Sequence, residues 1–194
     1  MLRNVKNAAE ATGRVFAVSY DIAGTDDTVL EDLKKDWIKL VDLERITHSD
    51  RYLRHNGLPV LHIYKIGFKE SNVADTAKIA ELIDWLQNGP EEKYRVFLLG
   101  GIPAYWRDRI RDSREEIQWK SIYDSLDAIV PWHVGRHNSI NRFKDMYNNV
   151  IQQDARYCRR RGEAPFNFMA SAFSPHAFHS NQSLKYSQGF YTCP

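Results

Sequence analysis

Cysteine is scarce in this chain. Cys158 and Cys193 are the only two, which suits neither a disulfide framework nor a metal knuckle. No apolar run approaches the length that spans a bilayer, and the opening MLRNVKNAAEATGR lacks the hydrophobic core of a signal peptide. A dominant charge is also absent: 27 Lys and Arg against 25 Asp and Glu leave a net +2, too little to imply a nucleic-acid or anionic-membrane partner. The Arg159-Arg160-Arg161 run reads as the cationic end of a helix, complementing the dipole there. There is no low-complexity segment and no repeat beyond the alternation described below. No cofactor is expected. These absences leave a soluble chain of unspecified compartment and oligomeric state. One further absence bears on chemistry: Glu163 is the final acidic residue, and residues 164–194 contain no Asp or Glu.

What is present is a rhythm. With 194 residues, 43% of them hydrophobic, the chain can bury a real core, and one domain over residues 1–194 is the expectation. Five apolar strands, RVFAVSYD (14–21), PVLHIYKIG (59–67), YRVFLLGG (94–101), DAIVPWHVGR (127–136) and APFNFMASAF (164–173), each run into a loop. Helical patterns separate them. Leu30, Leu33, Trp37, Leu40 and Val41 mark one face of a helix over about 28–47, and Ile79, Leu82, Ile83 and Leu86 mark a second that stops at Asn88-Gly89-Pro90. Trp119, Ile122, Tyr123 and Leu126 mark a third. A fourth opens near Ser139 as a cap, carries Ile140, Phe143, Tyr147, Val150 and Ile151, and stops at Gly162. In HNGLP (55–59), Asn56-Gly57 makes a tight turn before a strand that starts at Pro59.

Strand–helix alternation predicts an α/β fold with parallel strands, and the nearly continuous apolar runs VFAV, VLHI, VFLL and AIV predict strands covered on both faces. Strand starts recur about every 37 residues, so eight such units would need about 300 residues, within the range of a (β/α)8 barrel. The chain therefore reads either as five units of a TIM barrel or as an open, doubly wound sheet.

The segments FAVSYDIAG (16–24), DWIKLVDLERITHSDRYLRHNGLPVLHIYKIGF (36–68), FLLGGIPAYWRD (97–108) and DAIVPWHVGR (127–136) resemble successive βα units of glycoside hydrolase families 71 and 99. Those families include endo-acting α-mannosidases and α-1,3-glucanases. The resemblance runs over about residues 14 to 176. It implies a partial (β/α)8 TIM barrel, a fragment whose five strands match the third to the seventh, with a glycan or polysaccharide as the substrate of intact relatives. It also implies a catalytic Glu-x-x-Glu after the last strand, and no Glu-x-x-Glu occurs in this chain. The family's catalytic carboxylates map onto no position here, so the chain is expected to be inactive alone. A non-catalytic carbohydrate-binding or interaction protein is the rival reading.

Chemistry in such folds sits on the loops after strand C-termini. The residues that meet this rule as substrate-binding candidates are Tyr20, Asp21, Tyr64, Trp106, Trp132, Arg136 and His176. The two tryptophans suit a sugar because an aromatic face covers its apolar C–H face, and core packing is their alternative use. Asp21 either meets substrate or accepts backbone N–H bonds in its own turn. Arg136 either binds a hydroxyl or holds a neighbouring carboxylate. His62, between Leu61 and Ile63, reads as an interior histidine, and Asp108 as a helix-surface charge beside Arg107 and Arg109. His176 and His179 lack a third convergent ligand, so no metal is expected. Glycoside hydrolysis ordinarily needs two carboxyl groups, and only Asp21 directly follows a strand.

Overall fold

The computed structural model describes residues 2–136 and 138–160, together with the backbone at 167–168, 170–171 and 190–191. Helix α1 (Leu2–Thr12) precedes strand β1 (Val18–Asp21) and helix α2 (Val29–Asp42). A hairpin of β2 (Arg54–His55) and β3 (Leu58–Tyr64) is followed by α3 (Thr76–Asn88), β4 (Phe97–Pro103), α4 (Gln118–Ser125) and β5 (Ala128–Trp132). Next come α5 (Ile140–Met146), a π turn (Tyr147–Ile151) and α6 (Gln152–Arg160), then short segments β6 (Asn167–Phe168), β7 (Ala170–Ser171) and β8 (Phe190–Tyr191). No helix among the described residues is long and apolar enough to cross a membrane.

Local chemistry explains most of these boundaries. Asp75 caps α3 by accepting from the N–H groups of Ala77 and Lys78, and Ser139 caps α5 through Arg142 N–H. Asn56 and Gly57 both have positive φ, 49° and 84°, as a two-residue hairpin turn of the primed type requires. The helix expected to run to about residue 47 stops at Asp42 instead. Arg45 takes a left-handed conformation (φ 47°) and a short 3-10 turn, Ile46–His48, redirects the chain. The strand expected over 164–173 is also divided: 167–168 pair in parallel with β5, whereas 170–171 pair antiparallel with β8.

Strand order in the main sheet is β1-β3-β4-β5-β6, all parallel, with β2 joined antiparallel to β3. Sequence order thus equals spatial order. A doubly wound sheet reverses its order part-way and carries helices on both faces, and among the described residues this sheet does neither. Val18 of β1, Leu61 and Ile63 of β3, Leu98 and Ile102 of β4 and Ile129 of β5 form one cluster with Leu33 and Trp37 of α2, Leu82 and Leu86 of α3, and Trp119 and Tyr123 of α4. Helix α2 packs on α3, and α3 on α4. The opposite face carries a smaller cluster of Val60, Phe97, Leu99 and Ala128, with Val130 against it. Among the described residues the result is an open α/β sheet with its helices on one side.

Buried Tyr52 joins the first two parallel strands. Its hydroxyl accepts from the N–H of Val18 at 3.2 Å and donates to the carbonyl of Val60 at 3.0 Å. Burial pushes this phenol up to about 12, so it remains a donor at any ordinary pH. Replacing Tyr52 by Phe keeps the ring and strands two backbone groups in the interior. Chemical denaturation of Tyr52→Phe is expected to show a loss of about 1–3 kcal/mol. An unchanged midpoint would mean that the bridge is not a support of the β1–β3 junction.

Candidate functional site

Strand parity decides which residues reach the helix-free face. The register pairs Ser19 with His62 and Asp21 with Tyr64 between β1 and β3, then Tyr64 with Gly101 and Gly101 with Val130 across β4 and β5. Because side chains alternate along a strand, Ser19, Asp21, His62, Tyr64, Gly101 and Trp132 share the face opposite the helices. Gly101 makes room in the middle. A Cβ there would lie 2.8 Å from His62 Nε2, 2.8 Å from Tyr64 Cδ2 and 2.9 Å from Tyr64 Cα. Over this gap the Tyr64 and Trp132 rings meet at 5.0 Å with a 54° tilt, and Phe68 abuts Tyr64 edge-on at 5.7 Å.

Charged groups rim this aromatic pair at the C-terminal end of the sheet. Burial raises the Tyr64 phenol, the negative charges of Asp21 and Glu70 raise it further, and Arg136 opposes them. All three charges therefore lie within electrostatic reach of one hydroxyl. Asp21 is exposed and closes its own turn by accepting from Ala23 N–H at 2.9 Å. Burial acts to raise Glu70, yet the hydrogen bond from Lys65 and the charges of Lys65 and Arg136 leave its carboxyl below the usual range. Buried Asp112 accepts from the N–H groups of Ala104 and Tyr105 and from the Arg136 guanidinium. Arg136 thereby ties the loop after β5 to the loop after β4. Holding a neighbouring carboxylate is what it does in the structure.

Two of the sequence candidates stand elsewhere. Tyr20 points to the helix side, where its hydroxyl donates to Asp36 of α2 at 2.9 Å, and burial followed by that carboxylate raises its phenol. It occupies the strand position next to Asp21, so the alternation that exposes one turns the other inward. Trp106 is 2% exposed. Its Nε1 donates to Asp154 of α6 at 3.0 Å, and its ring meets Tyr123 and Tyr157 edge-on, so it packs beneath the helices and away from the Tyr64–Trp132 face. Asp108 receives a two-pronged bond from Arg107. His176 and His179 lie outside the described residues. Among the described residues no group of three His, Cys, Asp or Glu is placed to hold a metal ion.

Ser19, Glu70, Asp112 and Asp154 escaped the sequence reading. Ser19 lies inside a strand rather than after it, Glu70 and Asp112 lie well along their loops, and Asp154 lies on a helix remote in sequence from Trp106. A cavity of about 650 Å³ is lined by Leu2, Lys6, Lys39, Leu40, Glu44 and Ile46, and so lies between α1 and the end of α2 rather than on the aromatic face. No family model, curated protein or solved structure matches the chain.

Asp154 yields a pH test. It is 1% exposed, and burial drives its carboxyl from 3.8 up to about 6 despite the bonds from Arg107 and Trp106. The folded state therefore holds this proton more tightly than the unfolded chain. The corresponding stability is fully present below about pH 4 and is lost as pH rises through about 6, a few kcal/mol in size. Subtracting the pH–stability curve of Asp154→Asn from that of the native chain should leave a contribution that falls across this window. A difference that rises with pH would reverse the assignment.

Proposed function

We propose that this chain binds a carbohydrate on the helix-free face of its sheet, and that the sheet is an arc of a (β/α)8-type barrel of glycoside hydrolase ancestry. Support for the arc comes from the parallel strands in sequence order with helices on one side, the winding such a barrel requires. The observation that carries the binding reading is the Tyr64–Trp132 pair over Gly101, with Asp21, Glu70 and Arg136 around it. A sugar presents C–H faces that lie on aromatic rings and hydroxyls that charged groups bond at the edges. Of the sequence candidates, Asp21, Tyr64 and Trp132 carry the contact, and Arg136 keeps the rim in place through Asp112.

Catalysis is a separate matter. Cleavage of a glycosidic bond needs a carboxyl that keeps its proton to donate and a second carboxylate opposite it. Glu70 is pushed the wrong way for an acid by Lys65, and Asp112 is occupied by Arg136 and two backbone amides. Asp21 remains, and it can fill one role. Each missing acid–base role costs roughly 10²–10⁴-fold in rate, so hydrolysis of α-mannosides and α-glucans by this chain is expected near background.

Titration with α-mannan or α-glucan oligosaccharides, followed by tryptophan fluorescence, tests the reading. Trp132→Ala should abolish the response, whereas Trp85→Phe, on α3 and stacked on Tyr94, should preserve it. A response that survives Trp132→Ala would move the site elsewhere. Turnover that Asp21→Asn abolishes would replace simple binding with a mechanism built on Asp21.

A further inference from the structure

The geometry points to Ser19 and His62 as a nucleophile–base pair for carboxylic esters, a chemistry independent of sugar binding. The two residues are directly opposed in the β1–β3 register, and Ser19 Oγ lies 2.8 Å from His62 Nδ1. Both sit on regular strands, which fix a reacting geometry better than loops do. Ser19 is exposed, so an acyl carbonyl can approach Oγ. The imidazole cannot turn away: its Nε2 is buried against Gly101 and has no hydrogen-bond partner among the described residues, which leaves Nδ1 as its one engaged nitrogen. Burial pushes this histidine down to about 4, which keeps the ring neutral through the physiological range, and the nearby Asp21 charge acts in the other direction, toward the protonated form that proton transfer from Ser19 requires. A serine gains its nucleophilicity from such an adjacent base.

The step balances with water as the co-reactant. Ser19 Oγ bonds to the ester carbonyl carbon while its proton passes to His62 Nδ1, giving an imidazolium that the Asp21 charge stabilises. The tetrahedral adduct then breaks its bond to the alcohol oxygen, which leaves with the proton from Nδ1. Water attacks the acyl-serine, its proton passes to Nδ1, and the carboxylic acid departs as Ser19 Oγ recovers that proton. The sugar reading assigns no role to Ser19 or His62, so variants of these two residues separate the esterase reading from it.

A fluorophosphonate probe on the full chain, read by peptide mass mapping, tests the pair. The expected result is one label, on Ser19, absent in Ser19→Ala and formed roughly 10²–10⁴-fold more slowly in His62→Gln. p-Nitrophenyl acetate should give a burst that Ser19→Ala removes. Circular dichroism reads whether each variant is folded. If His62→Gln is not, the label on Ser19 and its loss in Ser19→Ala decide the matter. No label, a label on another residue, or equal labelling in folded His62→Gln overturns the proposal.

Discussion

Gly101 lies in the central strand with Tyr64 on one side and Val130 on the other, and the arrangement of the helix-free face follows from what it lacks. A methyl group there would drive into His62 Nε2, the Tyr64 ring and the Tyr64 backbone at once. Backbone cannot yield as a flexible side chain can, so the neighbours would have to move apart. Gly100 does the same on the other face, where a Cβ would meet Leu126 at 2.3 Å. Two adjacent glycines thus thin β4 from both sides. One admits the helix layer closely, and the other lets Tyr64 reach Trp132 and lets His62 turn its Nδ1 toward Ser19.

The end of β3 carries a conformational cost that fits this crowding. Lys65 has φ 87°, a left-handed conformation that a side chain rarely adopts, and its N–H and that of Ile66 both bond to Gly101 O, at 3.0 and 3.1 Å. The chain must leave β3 over the carbonyl of the glycine it pairs with, and the strain at Lys65 is the result. It also sets the lysine beside Glu70 and over the Phe68 ring, at 4.3 Å. In the next loop Arg109 and Arg111 adopt left-handed conformations just before Asp112, whose carboxylate gathers Ala104, Tyr105 and Arg136. Strain and buried acid together shape the rim.

Periodicity disclosed most of the elements and little of the parity. The apolar faces of α2, α3 and α4 are the residues the sequence marks, from Leu30 to Tyr123, because burial of a helix stripe leaves a periodic trace. A strand covered on both faces leaves none. VFAVSYD is apolar enough on either side that nothing local says whether Tyr20 or Asp21 turns from the helices; that is settled by pairing with β3, some 40 residues away. Trp106 shows the same limit. Its place after a strand suggested a rim position, and its partner Asp154 lies 48 residues along the chain on α6. Strand order is likewise a property of the assembled sheet, which is why alternation alone left an open doubly wound sheet and a barrel arc both standing.

The carboxylates of the rim are spent on architecture, and this separates two kinds of chemistry on one face. Asp27 accepts from Ala74 and Asp75 N–H, Asp112 from Ala104 and Tyr105, and Asp21 from Ala23, each fastening the backbone of a loop after a strand. A side-chain oxygen that accepts from backbone N–H groups of a turn or loop fixes that backbone, and these three carboxylates serve as such anchors. Ser19 and His62 are placed differently. They bond to each other across two strands, and burial keeps the imidazole uncharged. On this face the acids fasten loops, whereas Ser19 and His62 are held by each other and by the strands that carry them.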